Sequence, residues 1–138
     1  MTPEEKVIEK IRKTLIADTT INSYVKTRVY SSHISSILEP KFPAISLHLL
    51  FGSVLHPLDE INRVRIQIDA WFPSDDFNAT EVFNCLGRIR SLLHKQDLTD
   101  SVIGLVSYQS LESQNGPIMY EPETKLLHLP TIYEMVVK

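Results

Sequence analysis

Five histidines and one cysteine are the side chains of this 138-residue sequence best suited to bind a metal or attack a substrate. His33, His48, His56, His94 and His128 are dispersed, with no HxH, HExxH or His/Cys pair, so their spacing assembles no transition-metal site. His48 and His128 both fall in predicted strands and could be cross-strand neighbours; surface or interface imidazoles are the simpler reading. Cys85 stands at helical spacing from Val82 and Ile89, as a small buried hydrophobe does. A thiol nucleophile needs a base beside it, and no histidine is placed to serve. The acidic pairs Glu4-Glu5 and Asp75-Asp76 open predicted helices, where capping and the helix dipole account for them. Glu121 and Glu123 lie in a predicted loop, with no partner to make an acid–base couple. There is no GxxxxGK[ST], GxGxxG or GxSxG motif, and the four glycines, Gly52, Gly87, Gly104 and Gly116, are scattered. Phe51-Gly52-Ser53 reads as a turn after a strand. No catalytic residue, metal ligand or cofactor is expected.

The elements that must position these residues are legible in part. Thr2-Pro3-Glu4-Glu5 carries a cap, a proline suited to the first helical position and a capping-box glutamate. Val7, Ile8, Ile11, Leu15 and Ile16 follow at helical spacing, with charged residues opposite. Ile21 to Val25 adds a short second turn of helix, and Arg28-Val29-Tyr30 a short strand. Ser31 to Lys41 reads as loop, Phe42 to Phe51 as strand, and Gly52 to Asn62 as a loop or loose hairpin tip.

Arg63 to Phe72 is the clearest strand. Val64, Ile66, Ile68, Ala70 and Phe72 alternate with Arg63, Arg65, Gln67, Asp69 and Trp71. One face should be buried and the other wet or turned toward a partner. At about 3.3 Å per residue the run spans roughly 33 Å, longer than most strands. On the polar face, Trp71 either lies flat over a neighbouring strand or anchors a subunit interface, where Trp and Arg are enriched. Arg63 and Arg65 have the same two readings, solvated surface or interface.

Ser74-Asp75-Asp76 offers caps for a helix running to about Lys95, with Val82, Phe83, Leu86, Ile89, Leu92 and Leu93 as its apolar stripe. Val102 to Leu111 is expected as a strand with Val102, Val106 and Tyr108 in the core. Glu112 to Lys125 is expected as a long connection. Leu126 to Val137 is the last strand, and Pro130 inside it argues for an edge position or a bulge. The order predicts an α+β domain spanning 1–138, with a mostly antiparallel four- to five-stranded sheet and two main helices on one face. Recognition is expected in the two long loops, through His56, Asp59 and Glu60 in the first and Tyr120 and Glu121 in the second.

A hydrophobic fraction of 43% and a charged fraction of 22% exclude wholesale disorder. The charged opening MTPEEKVIEK is unlike a signal peptide, and no apolar run reaches the length of a membrane span. One cysteine excludes an internal disulfide. A net charge of −3 does not suit general nucleic-acid binding, which needs an excess of Lys and Arg.

Several short motifs, taken in order, resemble the tail terminator (tail completion) proteins of long-tailed bacteriophages, a small head–tail joining family. The first helix ends in Leu15-Ile16-Ala17-Asp18. A short helix then leads to Arg28-Val29-Tyr30. Next come Pro43-Ala44-Ile45-Ser46-Leu47 and the run Arg63-Val64-Arg65-Ile66-Gln67-Ile68-Asp69-Ala70-Trp71, then an amphipathic helix and two closing strands. The resemblance covers nearly the whole chain. Phe77, Phe83 and Cys85 stand where members often carry an Ala-rich helix, and the two long loops vary, so no contact residue carries over. The resemblance implies a virion protein and not an enzyme, placed in the neck or tail and met in the host cytoplasm during assembly. It implies a homohexameric ring that caps the tail tube, stops its polymerisation and joins the tail to the head connector. The implied partners are other copies of itself, the major tail tube protein and the head-completion or stopper protein. Viral DNA would pass through the lumen without specific binding. The alternatives are another neck protein (stopper, head-completion or adaptor) and, from a different class, a small ligand-binding α+β domain.

Overall fold

A computed structural model describes residues 1–32, 37, 39–58 and 60–138. The chain runs α1 (Pro3–Ala17), α2 (Thr19–Val25), β1 (Val29–Tyr30), β2 (Ala44–His56), β3 (Ile61–Pro73), α3 (Ala79–Leu93), β4 (Ser107–Asn115), β5 (Met119–Glu121) and β6 (Leu126–Val137). The six strands form one sheet in the order β1-β2-β3-β6-β4, with β5 beside β6. Every pairing is antiparallel except β1 with β2. The class is α+β, as the sequence predicts, with one strand more than the expected four or five.

The alternation in β3 sets the core. Val64, Ile66, Ile68, Ala70 and Phe72 are all buried. Against them pack Val7, Ile11 and Leu15 of α1, Ile21 and Val25 of α2, and Val82, Cys85, Leu86, Ile89 and Leu93 of α3. Burying each large aliphatic side chain contributes about 1.5–3 kcal/mol. The helix starts follow their local chemistry. The Thr2 hydroxyl accepts from the Glu5 N–H at 3.2 Å, and the Thr2 N–H donates to the Glu5 carboxylate at 2.7 Å. Asp18 ends α1, caps α2 by accepting from the Ile21 N–H at 3.0 Å, and takes the Arg88 guanidinium of α3 at 2.6 Å. One carboxylate therefore ties three helices together, and the Arg88 hydrogen bond lowers its pKa below the ordinary carboxylate value.

Several expectations are corrected. The segment from Gly52 is not a loop: β2 continues to His56 and pairs through Gly52 with Val64, Ser53 with Arg63 and Val54 with Asn62. The turn is confined to the residues between His56 and Ile61. Pairing with a strongly alternating neighbour overrides the weak strand propensity of Gly52 and Ser53. The α3 cap is Asn78 rather than Ser74-Asp75-Asp76. Phe77 packs edge-on against Phe72 at 5.1 Å, and its N–H bonds the Pro73 carbonyl, holding 74–77 as a turn ahead of the helix. Phe83 is exposed, off the buried stripe.

Val102, Val106 and Tyr108 are exposed too, and Leu105 takes the core position. The Asp100 carboxylate accepts the Val102 N–H and meets Lys10 and Lys13 at 3.3 Å, folding 100–105 into a turn. Gly104, at φ +68°, supplies the left-handed residue this turn needs. The predicted connection 112–125 contains the end of β4 and all of β5.

Pro130 lies in a central strand, not at an edge. On one side β6 pairs with β3 throughout, and on the other it pairs with β4 up to Thr131 and with β5 from His128. Pro130 falls where the neighbour changes. Its carbonyl accepts the Gly116 N–H at 2.8 Å, and the missing N–H points to the same side, where no ladder bond is required. Gly116 crosses so close that a Cβ there would lie 2.7 Å from the proline ring.

Two outcomes follow from this packing. Ile66→Asp should lose about 4 kcal/mol or more, because it puts an unpaired charge in the core. Arg65→Glu should lose about 1 kcal/mol or less; thermal melts of both check the strand faces. Asp18→Asn keeps a cap but loses the charge that Arg88 holds. Since the folded pKa is depressed, the pair stabilises above the unfolded carboxylate value of about 3.9 and is lost as pH falls through the folded value. The gap in denaturation midpoint between wild type and Asp18→Asn should therefore be largest near neutral pH and close in strong acid.

Candidate functional site

Among the described residues, the histidines and Cys85 are not gathered into one site. His48 pairs with Gln67 and His128 with Trp71, so β3 separates the two histidines that could have been cross-strand neighbours. Among the described residues, no group of three His, Cys, Asp or Glu side chains could hold a metal ion. His33 lies outside the described residues. Cys85 is fully buried, and burial pushes its thiol up to about 12, so it stays protonated at neutral pH. A cleft of about 250 Å³ opens between α3 and the β4–β6 pair, lined by Phe83, Leu86, Arg90, Glu112 and Leu129 among others. Its charged groups face one another at 3.2 Å, Arg90 to Glu112, and the hydroxyl of Thr131, which also lines it, donates to the Ile68 carbonyl at 2.9 Å. No described helix is long and apolar enough to cross a membrane.

The face of β3 opposite the helices is divided into two halves. Arg63 and Arg65 are half-exposed and share Glu134 of β6 at 3.3 and 3.7 Å. Arg65 also lies over the Phe51 ring, 5.5 Å from its centroid. Further along the strand, Asp69 is 1% exposed and Trp71 3%. The Trp71 Nε1–H donates to Ser46 Oγ at 3.0 Å, and the indole stacks on His128 at 4.1 Å. Tyr30 and Phe42 close over Ala44, Trp71 and Leu126. Asp69 accepts both hydrogen bonds from the Gln67 amide at 3.0 and 3.1 Å. Asp69 and Trp71 are therefore interior residues of this chain and not an exposed anchor. The approach to β2, outside the alternating strand, covers Trp71, and alternation in β3 alone could not reveal it.

Of the remaining expected contact residues, His56 and Glu60 are exposed beside the β2–β3 turn. Tyr120 is exposed on β5, and Glu121 is half-buried beside it, accepting from the Thr124 hydroxyl at 3.1 Å. Asp59 lies outside the described residues.

The most unusual surface was not singled out from the sequence. Leu49, Leu50, Phe51, Val54, Leu55 and Leu58 are all exposed along the far half of β2 and its turn, Leu58 at 90%. Beyond Ser46, β2 has no strand on its outer side among the described residues. An apolar strand with an open edge is what soluble chains avoid unless a partner covers it. The signal was present: no Asp, Glu, Lys or Arg occurs between Lys41 and Asp59. An apolar strand beside an open edge is suited to apolar contact and main-chain pairing.

Cys85 provides a check on the absence of thiol chemistry at neutral pH. A thiol-specific chromogenic reagent should leave the native protein unlabelled and titrate one thiol after unfolding in denaturant. Rapid native labelling would show an accessible thiolate.

No family model matches the chain, and no curated protein does. Thirty chains of solved structures match. One belongs to the virion of a native gene transfer agent particle. It superposes with a TM-score of 0.70 at 12% identity, over 95% of this chain and 93% of that one. At that identity the likeness is one of fold, and it extends over essentially the full length of both chains.

Proposed function

We propose that this chain is a virion structural protein: a tail terminator that forms a ring on the end of the tail tube, stops its growth and joins it to the head. The observation that carries the reading is the full-length fold match to a chain of a gene transfer agent virion. The order of sequence motifs from Leu15 to Trp71 points the same way. The exposed apolar half of β2 adds a physical reason for assembly, since water-exposed apolar surface on that scale is removed by association.

In this reading the chain works as one unit and is not an enzyme. It has no cofactor, and it resides in the neck or tail after assembly in the host cytoplasm. Its partners are other copies of itself in a hexamer, the tail tube protein and the head-completion protein. Arg63 and Arg65 on the open face, His56 and Glu60 at the β2–β3 turn, and Tyr120 and Glu121 on β5 are the proposed contacts. Asp69 and Trp71 act inside the subunit, holding the corner under Tyr30 and Phe42. A copy with net charge −3 carries no excess of cations to clamp phosphates, which suits a lumen through which DNA must slide.

The test is genetic, with electron microscopy of the lysate as the readout. Disrupting the coding sequence in its parent particle should give filled heads without joined tails, and tails of irregular or excessive length. Tails of normal length lacking only heads would assign a stopper or connector role instead. Infectious particles of normal form would remove the protein from assembly.

A further inference from the structure

Tyr30 and Phe42 cover only the end of the open sheet face that holds Trp71. Toward the other end, one row of side chains crosses four strands: Phe51, Arg65, Glu134 and Leu111. Arg63 stands in the next row, opposite Val136. None of these residues is buried. Three interstrand spacings make the patch about 14 Å wide, and it has an apolar side chain at each end.

Charge on this patch is unbalanced. Glu134 is the only carboxylate that either arginine meets among the described residues, at 3.3 Å from Arg63 Nε and 3.7 Å from Arg65 Nε. Both contacts exceed the roughly 2.7–2.9 Å of a charge-assisted hydrogen bond. Neither Nε–H, each buried, has a hydrogen-bond acceptor among the described residues. One carboxylate is thus stretched between two guanidinium groups, and one positive charge is left over. Arg65 is also held in place: it lies over the Phe51 ring at 5.5 Å, and its Nη2 donates to Ser113 Oγ at 3.5 Å. A guanidinium fixed in this way loses little side-chain freedom when an anion binds.

The complement of such a patch is one carboxylate with an apolar neighbour. The carboxylate balances the second arginine, and the apolar side chain covers Phe51, which is 43% exposed. Duplex phosphates match it poorly: DNA-binding surfaces line up several cations, and this patch holds two with a carboxylate between them. Two copies meeting face to face would set four arginines against two glutamates, so a two-fold self-contact does not supply the missing charge. We infer that Arg63 and Arg65 form a carboxylate site at which another protein docks, with an Asp or Glu of that protein pairing with both guanidinium groups and an adjacent apolar side chain covering Phe51. This rests on the assembly reading above and gives the chemistry of the partner that meets these two arginines.

A displayed library of random peptides, panned on the immobilised full chain, supplies the probe. Peptides with an Asp or Glu beside an aromatic or aliphatic residue should be enriched, and the best of them, synthesised with a dye, should bind in fluorescence anisotropy. Arg63→Gln with Arg65→Gln should weaken that binding about tenfold or more, and raising the salt from about 0.1 M to about 1 M should weaken it too. Glu134→Gln, which removes the internal competitor, should bind the same peptide more tightly. The three side chains are partly exposed, so both variants should keep wild-type circular dichroism; Arg65→Gln alone replaces a double variant that does not. No enrichment, enriched peptides without a carboxylate, unchanged affinity in the double variant, or weaker binding by Glu134→Gln would overturn the inference. A duplex DNA oligonucleotide that outbinds the peptide and is lost in the double variant would overturn it in favour of nucleic acid. Self-association that the double variant abolishes would overturn it in favour of a second copy. Any of these results beside a tail defect on gene loss leaves the proposed function standing; a carboxylate site in a protein whose loss leaves particles normal refutes that function and not the site.

Discussion

The pairing of β3 on both sides is the constraint on which the rest depends. Among the described residues it is the one strand that meets a full-length neighbour at each edge, β2 and β6, and its alternation puts five apolar side chains under three helices. A slip of one residue would send Val64, Ile66 and Ile68 to the open face and bring Arg65 and Gln67 against α1 and α3. Register is therefore fixed by burial and not by turn chemistry. Once β3 is fixed, β2 is carried out to His56 by pairing alone, and an apolar edge is exposed that local sequence preference would not have built.

Much of the frame was legible. The capping box at Thr2, the stripe of α1, the short α2 and the buried face of β3 are local signals, each fixed within a turn of helix or by a two-residue period. What could not be read was decided by groups far apart in sequence. Asp100 folds the following turn through lysines on α1, and Phe77 is held back from α3 by Phe72. Pro130 is admitted to a central strand because its neighbour changes at that residue. The face of Trp71 was read correctly from the alternation, but its cover comes from Tyr30 and Phe42, more than 25 residues upstream.

The contact surface divides along the same line. Arg63 and Arg65 were visible because they alternate with core residues. Gly52 to Leu58 was missed because a glycine, a serine and a proline made it look like loop, and Leu49 to Phe51 because apolar residues in a strand are normally assigned inward. Their exposure depends on α1 and the neighbouring strands leaving that half of the hairpin uncovered, which is a property of the assembled sheet.

The last strand in the sequence, β6, occupies the middle of the sheet. Until residues 126–137 have left the ribosome, β3 has one open edge, and neither β4 nor β5 has a strand to join. Pairs such as Asn62 with Val137 close loops of more than 70 residues, a slow step compared with forming α1 or the β2–β3 hairpin. During synthesis the hairpin, with its apolar edge, is thus the first part of the sheet to form and the longest exposed. The fold trades early vulnerability to misassembly for a centre that, once β6 is inserted, is held from both sides.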